Sequence, residues 1–247
     1  MVALLRMKKI YAYIQLLFLV CFSVQAQVSV NDLDNAYTEE IKAENTALSA
    51  RIKQLPANFQ ALNDKARQAI KSKDYPQALN VAVEMEKQYP ANADVKNFKG
   101  KMQMATGDNH KAISSFTEAL SLKPDNKWFY INKATAQAEN KSLQDALQTI
   151  TELNVRYPKW SIGYNFKAAL LQALNKNEEA LQAYNKAISC NPGSAQILTN
   201  RGDLYLQSGN RVKALEDYNS ALAIQPDYQR AKSKINDIAQ ITTSKAE

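Results

Sequence analysis

A chain of 247 residues with ordinary hydrophobic content and six glycines is neither disordered nor collagen-like. Its net charge of +7 is spread along the chain, so no basic block marks it for nucleic acid or lipid headgroups. Two cysteines, Cys21 and Cys190, exclude a disulfide framework and a CxxC metal site, while abundant Ala, Leu, Lys, Gln and Asn favour helix over sheet.

Residues 1–26 have the build of a secretory signal peptide. A basic opening ends at Lys8 and Lys9, and an apolar stretch runs from Ile10 to about Val24. Val24-Gln25-Ala26 then gives a small-residue cleavage pattern, which predicts a cut between Ala26 and Gln27. The expected location is outside the cytoplasm, in the periplasm or envelope of a Gram-negative-type bacterium. Retention of residues 10–26 as a membrane anchor is the alternative, although the stretch is short beside the roughly 20 residues a spanning helix needs. Met7, opening MKKI, competes with Met1 as the start. Val20 before Cys21 is not the small residue that lipidation requires.

Residues 27–58 carry a sparse apolar stripe, Leu33, Tyr37, Ile41, Leu48, Ile52 and Leu55, on one helical face. Asn31 or Asp32 is placed to cap the helix and Pro56 to end it. The expected role is an N-terminal capping helix over the exposed edge of the repetitive region that begins at Phe59; an oligomerising helix is the alternative.

From Pro56 on, a period of 34 governs the chain. Pro56, Pro90, Pro124, Pro158, Pro192 and Pro226 form one arithmetic series. The frames are 59–92, 93–126, 127–160, 161–194 and 195–228. In each, the twentieth residue is alanine (Ala78, Ala112, Ala146, Ala180, Ala214) and the eighth is small (Ala66, Gly100, Ala134, Ala168, Gly202). Invariant small residues at two phases mark the close crossing of two helices. Asn58, Asn92, Asn126 and Ser194 stand where they cap each first helix, with Ser161 in the fourth frame one residue later. Asp74, Asp108, Ser142 and Asn210 mark the turn inside each pair, with Lys176 beside Asn177 in the fourth. Residues 229–247 start in the same phase and read as a C-terminal solvating helix, with Ala231, Ile235, Ile238 and Ile241 on its buried face and Arg230, Lys232, Lys234 and Asp237 facing water.

The Gly/Ala at eight, Ala at twenty, aromatic at twenty-four, Ala at twenty-seven and Pro at thirty-two resemble the tetratricopeptide repeat (TPR) family. Asn200–Pro226 carries the fullest match, with Gly202, Tyr205, Gly209, Ala214, Tyr218, Ala221 and Pro226. Frames 59–92 and 127–160 depart at twenty-seven, where Met85 and Leu153 replace Ala, and share a Tyr-Pro ending. The resemblance implies an all-α, right-handed superhelical solenoid of antiparallel helix pairs, five repeats with capping helices at both ends. It also implies a concave groove lined by the first helices. Carried onto this sequence, the partner-binding groove comprises Asn63, Arg67, Asn97, Lys101, Trp128, Ile131, Asn132, Ile162, Asn165, Phe166, Thr199 and Asn200. Asn both donates and accepts, which suits it to the backbone of an extended peptide, and the apolar middle repeats suit a partner helix. Ile162 and Phe166 stand where the family's carboxylate clamp needs basic residues, which argues against that clamp.

No phosphate loop, nucleophile elbow or HExxH pair is present. The lone His110 lies in a turn with no second ligand, so neither a metal nor a cofactor is expected, nor catalysis. The seventh residue of every frame is basic (Lys65, Lys99, Lys133, Lys167, Arg201). Its methylenes either lie along the core edge with the charge in water, or the charges form a ladder for an acidic partner. The resulting expectation is an exported, non-catalytic scaffold or adaptor for a protein or peptide partner. A signal-anchored membrane scaffold, and a binding subunit of an envelope glycan, lipid or transport complex, are the alternatives.

Overall fold

The computed structural model describes residues 34–243, all of them in helices and short turns. The expected signal segment, the expected cleavage site at Ala26–Gln27, and the caps expected at Asn31 and Asp32 lie outside the described residues. The first helix, α1, is Asn35–Lys53. Five pairs come next: α2 (Ala57–Lys71) with α3 (Tyr75–Gln88), α4 (Ala93–Ala105) with α5 (Asn109–Leu122), α6 (Lys127–Glu139) with α7 (Leu143–Arg156), α8 (Ser161–Ala173) with α9 (Asn177–Cys190), and α10 (Ala195–Gln207) with α11 (Arg211–Ile224). The last helix, α12, is Gln229–Thr243. Among the described residues the contacts divide into two compact units: Ile41–Tyr157, and residues 34–40 together with those from Pro158 on.

The pairs form where the 34-residue period puts them. All five alanines at position twenty are completely buried. At position eight, an added Cβ on Gly100 would lie 2.7 Å from the Phe116 ring, and one on Gly202 would lie 2.7 Å from the Tyr218 ring. At these two positions the ring at position twenty-four fills the space a methyl group would take, whereas the fourth repeat holds both Ala168 and Tyr184, fully buried.

The turn inside every pair uses one backbone conformation. The residue at position fifteen has positive φ in all five repeats: Lys73 (59°), Gly107 (86°), Lys141 (64°), Asn175 (60°) and Gly209 (80°). The next residue caps the second helix. Asp74, Asp108 and Asn210 accept hydrogen bonds from the backbone N–H groups of Gln77, Lys111 and Lys213. Ser142 and Lys176 occupy the same place without a side-chain cap bond.

Caps on the first helices are as expected at Asn92, Asn126 and Ser194. Two others differ. Asn58 lies inside α2, where it accepts from the Tyr89 hydroxyl at 2.8 Å and donates to Gln88 at 3.1 Å. Ser161 is the first residue of α8, preceded by Trp160 without a side-chain cap bond. The shared Tyr-Pro ending has a physical cause. The Tyr89 hydroxyl reaches Asn58 and the Tyr157 hydroxyl reaches the Asp125 carbonyl, so each ties the end of a second helix to the start of its own pair.

Candidate binding face of the first helices

In the first unit, α2, α4 and α6 present the positions expected to line the groove. Asn63, Asn97, Lys101, Trp128, Ile131 and Asn132 lie together on this face and are all buried. Arg67 is exposed. Two of the amides bond to each other. Asn132 donates its Nδ2 to Asn97 Oδ1 at 2.8 Å, tying the first helices of consecutive repeats.

The cover over this face is α1. Its capping side chain is Asp34, whose Oδ1 accepts from the backbone N–H of Tyr37 at 2.8 Å. Within the first unit, Arg51 makes a two-pronged contact with Asp94 on α4, Nε to Oδ2 at 2.9 Å and Nη2 to Oδ1 at 3.0 Å. Glu44 accepts from Arg51 at 3.3 Å and from Asn126 at 3.2 Å. Burial alone would lower the Arg51 pKa, but Asp94 and Glu44 outweigh it and hold the guanidinium above its usual value. Ile52 and Leu55 pack on the apolar cluster of the first repeat. The polar partners of this helix in the first unit lie on α4 and just ahead of α6.

The fit is incomplete. A cavity of about 390 Å³ remains, lined by Leu48, Ile52 and Leu55 on one side and by Asn63, Phe98, Trp128 and Asn132 on the other. Leu48 and Ile52 of α1, and Leu55 just past its end, are only half-buried.

In the second unit, α8 and α10 repeat the amide tie, with Asn200 Nδ2 donating to Asn165 Oδ1 at 2.9 Å. Ile162, Asn165, Phe166, Thr199 and Asn200 are buried here too. Two partners account for part of that cover. Arg230 of α12 donates to Asn200 at 2.7 Å and to Asp203 at 2.7 Å, and Lys234 lies 3.3 Å from Asp203. Arg230 and Lys234 thus face the repeat, correcting the expectation that they face water; Lys232 and Asp237 are exposed as expected. Burial would raise the Asp203 carboxyl, but Arg230, Lys234 and the Tyr218 hydroxyl hold it below its usual value. The second partner is Asp34, which accepts from the Ser194 hydroxyl and from the backbone N–H of Gln196 at 3.1 Å. One carboxylate therefore caps α1 and supports the start of α10.

Three of the five basic seventh positions have carboxylate neighbours. Lys99 pairs with Glu86 at 2.6 Å, and Arg201 grips Asp217 through Nε at 2.9 Å and Nη2 at 2.6 Å. Lys65 is 3.9 Å from Glu84. Lys99 thus reaches back to the second helix of the preceding pair, whereas Lys65 and Arg201 join the first helix to the second helix of their own pair. A second tie of this kind recurs where Gln103 accepts from Ser115 at 2.7 Å and Gln137 accepts from Thr149 at 2.8 Å, both buried. The Gln at position eleven and the hydroxyl at twenty-three were visible in the sequence as a matched pair twelve residues apart. Asp34, Glu44, Arg51 and Asp94 carried no such signal. His110 is exposed. Among the described residues no group of His, Cys, Asp or Glu is arranged to hold a metal, and no helix is long and apolar enough to cross a membrane.

Comparison with known proteins agrees with this architecture. Four family models, each described as a TPR or tetratricopeptide repeat, match residues 63–127, 103–170, 170–209 and 195–228. The heat shock protein sti1 homolog of Schizosaccharomyces pombe is 31% identical over 100 residues, which covers 40% of this chain and 17% of that protein. The chain thus spans less than a fifth of the length of that relative. A crystal structure of MamA superposes with a TM-score of 0.57 at 20% identity, covering 67% of this chain and 96% of that one. YrrB, described as a TPR protein with an unusual peptide-binding site, superposes with a TM-score of 0.53 at 19% identity, covering 73% of this chain and 98% of that one. With helix pairs, turns and small-residue crossings recurring at one period, and with matches that together run from 63 to 228, the chain is a tetratricopeptide repeat protein.

Proposed function

We propose that this chain is an exported, non-catalytic adaptor that binds a protein or peptide partner on the face of its first helices. Tetratricopeptide repeats generally mediate protein–protein contact. The observation that carries the reading is the face of α2, α4 and α6. It combines an apolar floor at Phe98 and Trp128 with polar groups at Asn63, Asp94 and Asn132, and it holds an incompletely filled cavity of about 390 Å³. A few polar groups around apolar surface is the make-up of a recognition site for a peptide or helix. Export rests on the basic, apolar and small-residue pattern of residues 1–26.

Two measurements test the reading. Intact mass of the protein recovered from the exported fraction should show a chain starting at Gln27; a chain starting at Met1 or Met7 would favour the signal-anchored alternative. Partner capture by the tagged full chain should weaken by about tenfold with Trp128→Ala, as for a buried aromatic anchor, with helix content by circular dichroism as the control for folding. Unchanged capture by a folded variant would move the binding face elsewhere. Retrieval of glycan or lipid with no protein would favour the alternative of an envelope glycan, lipid or transport subunit.

A further inference from the structure

The geometry points to α1 as a resident ligand: the Ile41–Lys53 segment occupies the face of α2, α4 and α6 in cis, and the partner is an amphipathic helix that takes its place. The inference rests on the binding face proposed above and specifies what that face receives.

Three observations identify the occupant as a helix of stated chemistry. The face already holds one, and the contacts are complementary in charge, with Arg51 on Asp94 and Glu44 on the Asn126 amide. The apolar contacts are Leu48 and Ile52, four apart on the helix, with Leu55 just past its end. The resident also fits imperfectly, since these three residues stay half-buried and about 390 Å³ beside them is unfilled. Unfilled space forfeits dispersion contacts on both walls. A helix with the same charge pattern and a larger side chain at the Leu48 position gains the contacts that α1 leaves unmade against Trp128 and Phe98. The partner therefore carries an aliphatic or aromatic stripe at this spacing, an aromatic opposite the cavity, and a basic residue one turn beyond it for Asp94.

A resident that fills the face in about nine chains of ten weakens the apparent affinity of any competitor about tenfold. The probe is a labelled peptide with the sequence of residues 35–55, added to the full-length chain. It should bind Arg51→Glu about ten times more tightly than wild type, because that change unlatches the resident helix and leaves Asp94 free for the peptide's arginine. Combining Arg51→Glu with Asp94→Arg should abolish the gain, since the resident is latched again and the peptide meets like charge. A peptide carrying Leu48→Trp should bind the Arg51→Glu chain about threefold more tightly than the native peptide, within the range of one aromatic contact. Hydrogen exchange over residues 41–53 should speed up in Arg51→Glu while the repeats keep their protection. Glu44→Lys, which loosens the same segment from Asn126, supplies the second variant if Arg51→Glu does not fold.

Equal affinity for wild type and for the opened variants would overturn the inference. So would a Leu48→Trp peptide that binds no better, or a concentration-dependent dimer of the opened chain with no peptide binding, which would assign the face to a second copy's helix. If the peptide prefers the opened chain while Trp128→Ala leaves partner capture intact, the functional reading fails and the resident helix stands.

Discussion

Gly202 shows how one atom is decided by its neighbour across a helix pair. A Cβ there would sit 2.7 Å from Tyr218 Cε1 and 3.2 Å from the Ala214 carbonyl, and Tyr218 is held by a hydroxyl bond to Asp203 at 2.9 Å. Gly202→Ala gains about 1 kcal/mol of helix propensity, while overpacking a buried crossing costs about 1–3 kcal/mol. The ring cannot swing away without losing its bond, so overpacking wins. A net loss of about 1–2 kcal/mol is expected in denaturant unfolding; a variant as stable as wild type would mean the ring yields. Glu139, near the end of α6, is a second case. Burial pushes its carboxyl from 4.5 up to about 7. The folded state then holds a proton that the unfolded chain has released, so stability falls as pH rises from the unfolded value toward 7 and levels off above it. Glu139→Gln removes that dependence. It should leave stability unchanged near pH 4 and raise it at pH 8 by about 1–2 kcal/mol, once the side chain's partial exposure is allowed for. The small residue at position eight was legible in the sequence. That Gly rather than Ala is required at Gly100 and Gly202 depends on where the aromatic ring lies.

At the scale of the element, five turns share one left-handed residue, yet only two of the five are glycine. A non-glycine residue there costs about 1–2 kcal/mol, and glycine returns part of that through its greater freedom in the unfolded chain. Lys141→Gly should therefore stabilise by about 0.5–1 kcal/mol. The melting temperature should rise by about 2 °C for a chain of this size, and a fall would show that the lysine side chain contributes to the turn. Helix boundaries, prolines and most caps were legible because they depend on residues adjacent in sequence. The exceptions, Asn58 and Ser161, sit one or two residues inside their helices, where a polar residue next to a helix start reads as a cap until its actual partners are known. The basic seventh positions were legible as a pattern but not in purpose. The carboxylate partners stand on other helices, Asp217 on the second helix of Arg201's own pair and Glu86 on the second helix of the pair before Lys99, and become neighbours only when the helices pack.

For the molecule as a whole, two pairs of the amides expected along the groove join repeat to repeat. The Asn132–Asn97 and Asn200–Asn165 bonds each link residues 35 apart along the chain, one period plus one. Both carbonyl acceptors are buried, so removing one donor leaves an unpaired polar group in the interior. Asn132→Ala should cost about 1–3 kcal/mol and broaden the unfolding transition, because stability in a repeat array resides in intrinsic terms plus nearest-neighbour contacts. A sharp, unshifted transition would show that the tie contributes nothing. By itself the sequence determined the period, the helix pairs and the crossing residues, since each is written in local spacing; the face of the first helices was assigned only by the family resemblance, as an open groove. Only the tertiary structure decided what buries that face. Periodicity records that a side chain leaves water but not which distant segment covers it; here Arg51 meets Asp94 and Asp34 meets Ser194 across separations of 43 and 160 residues.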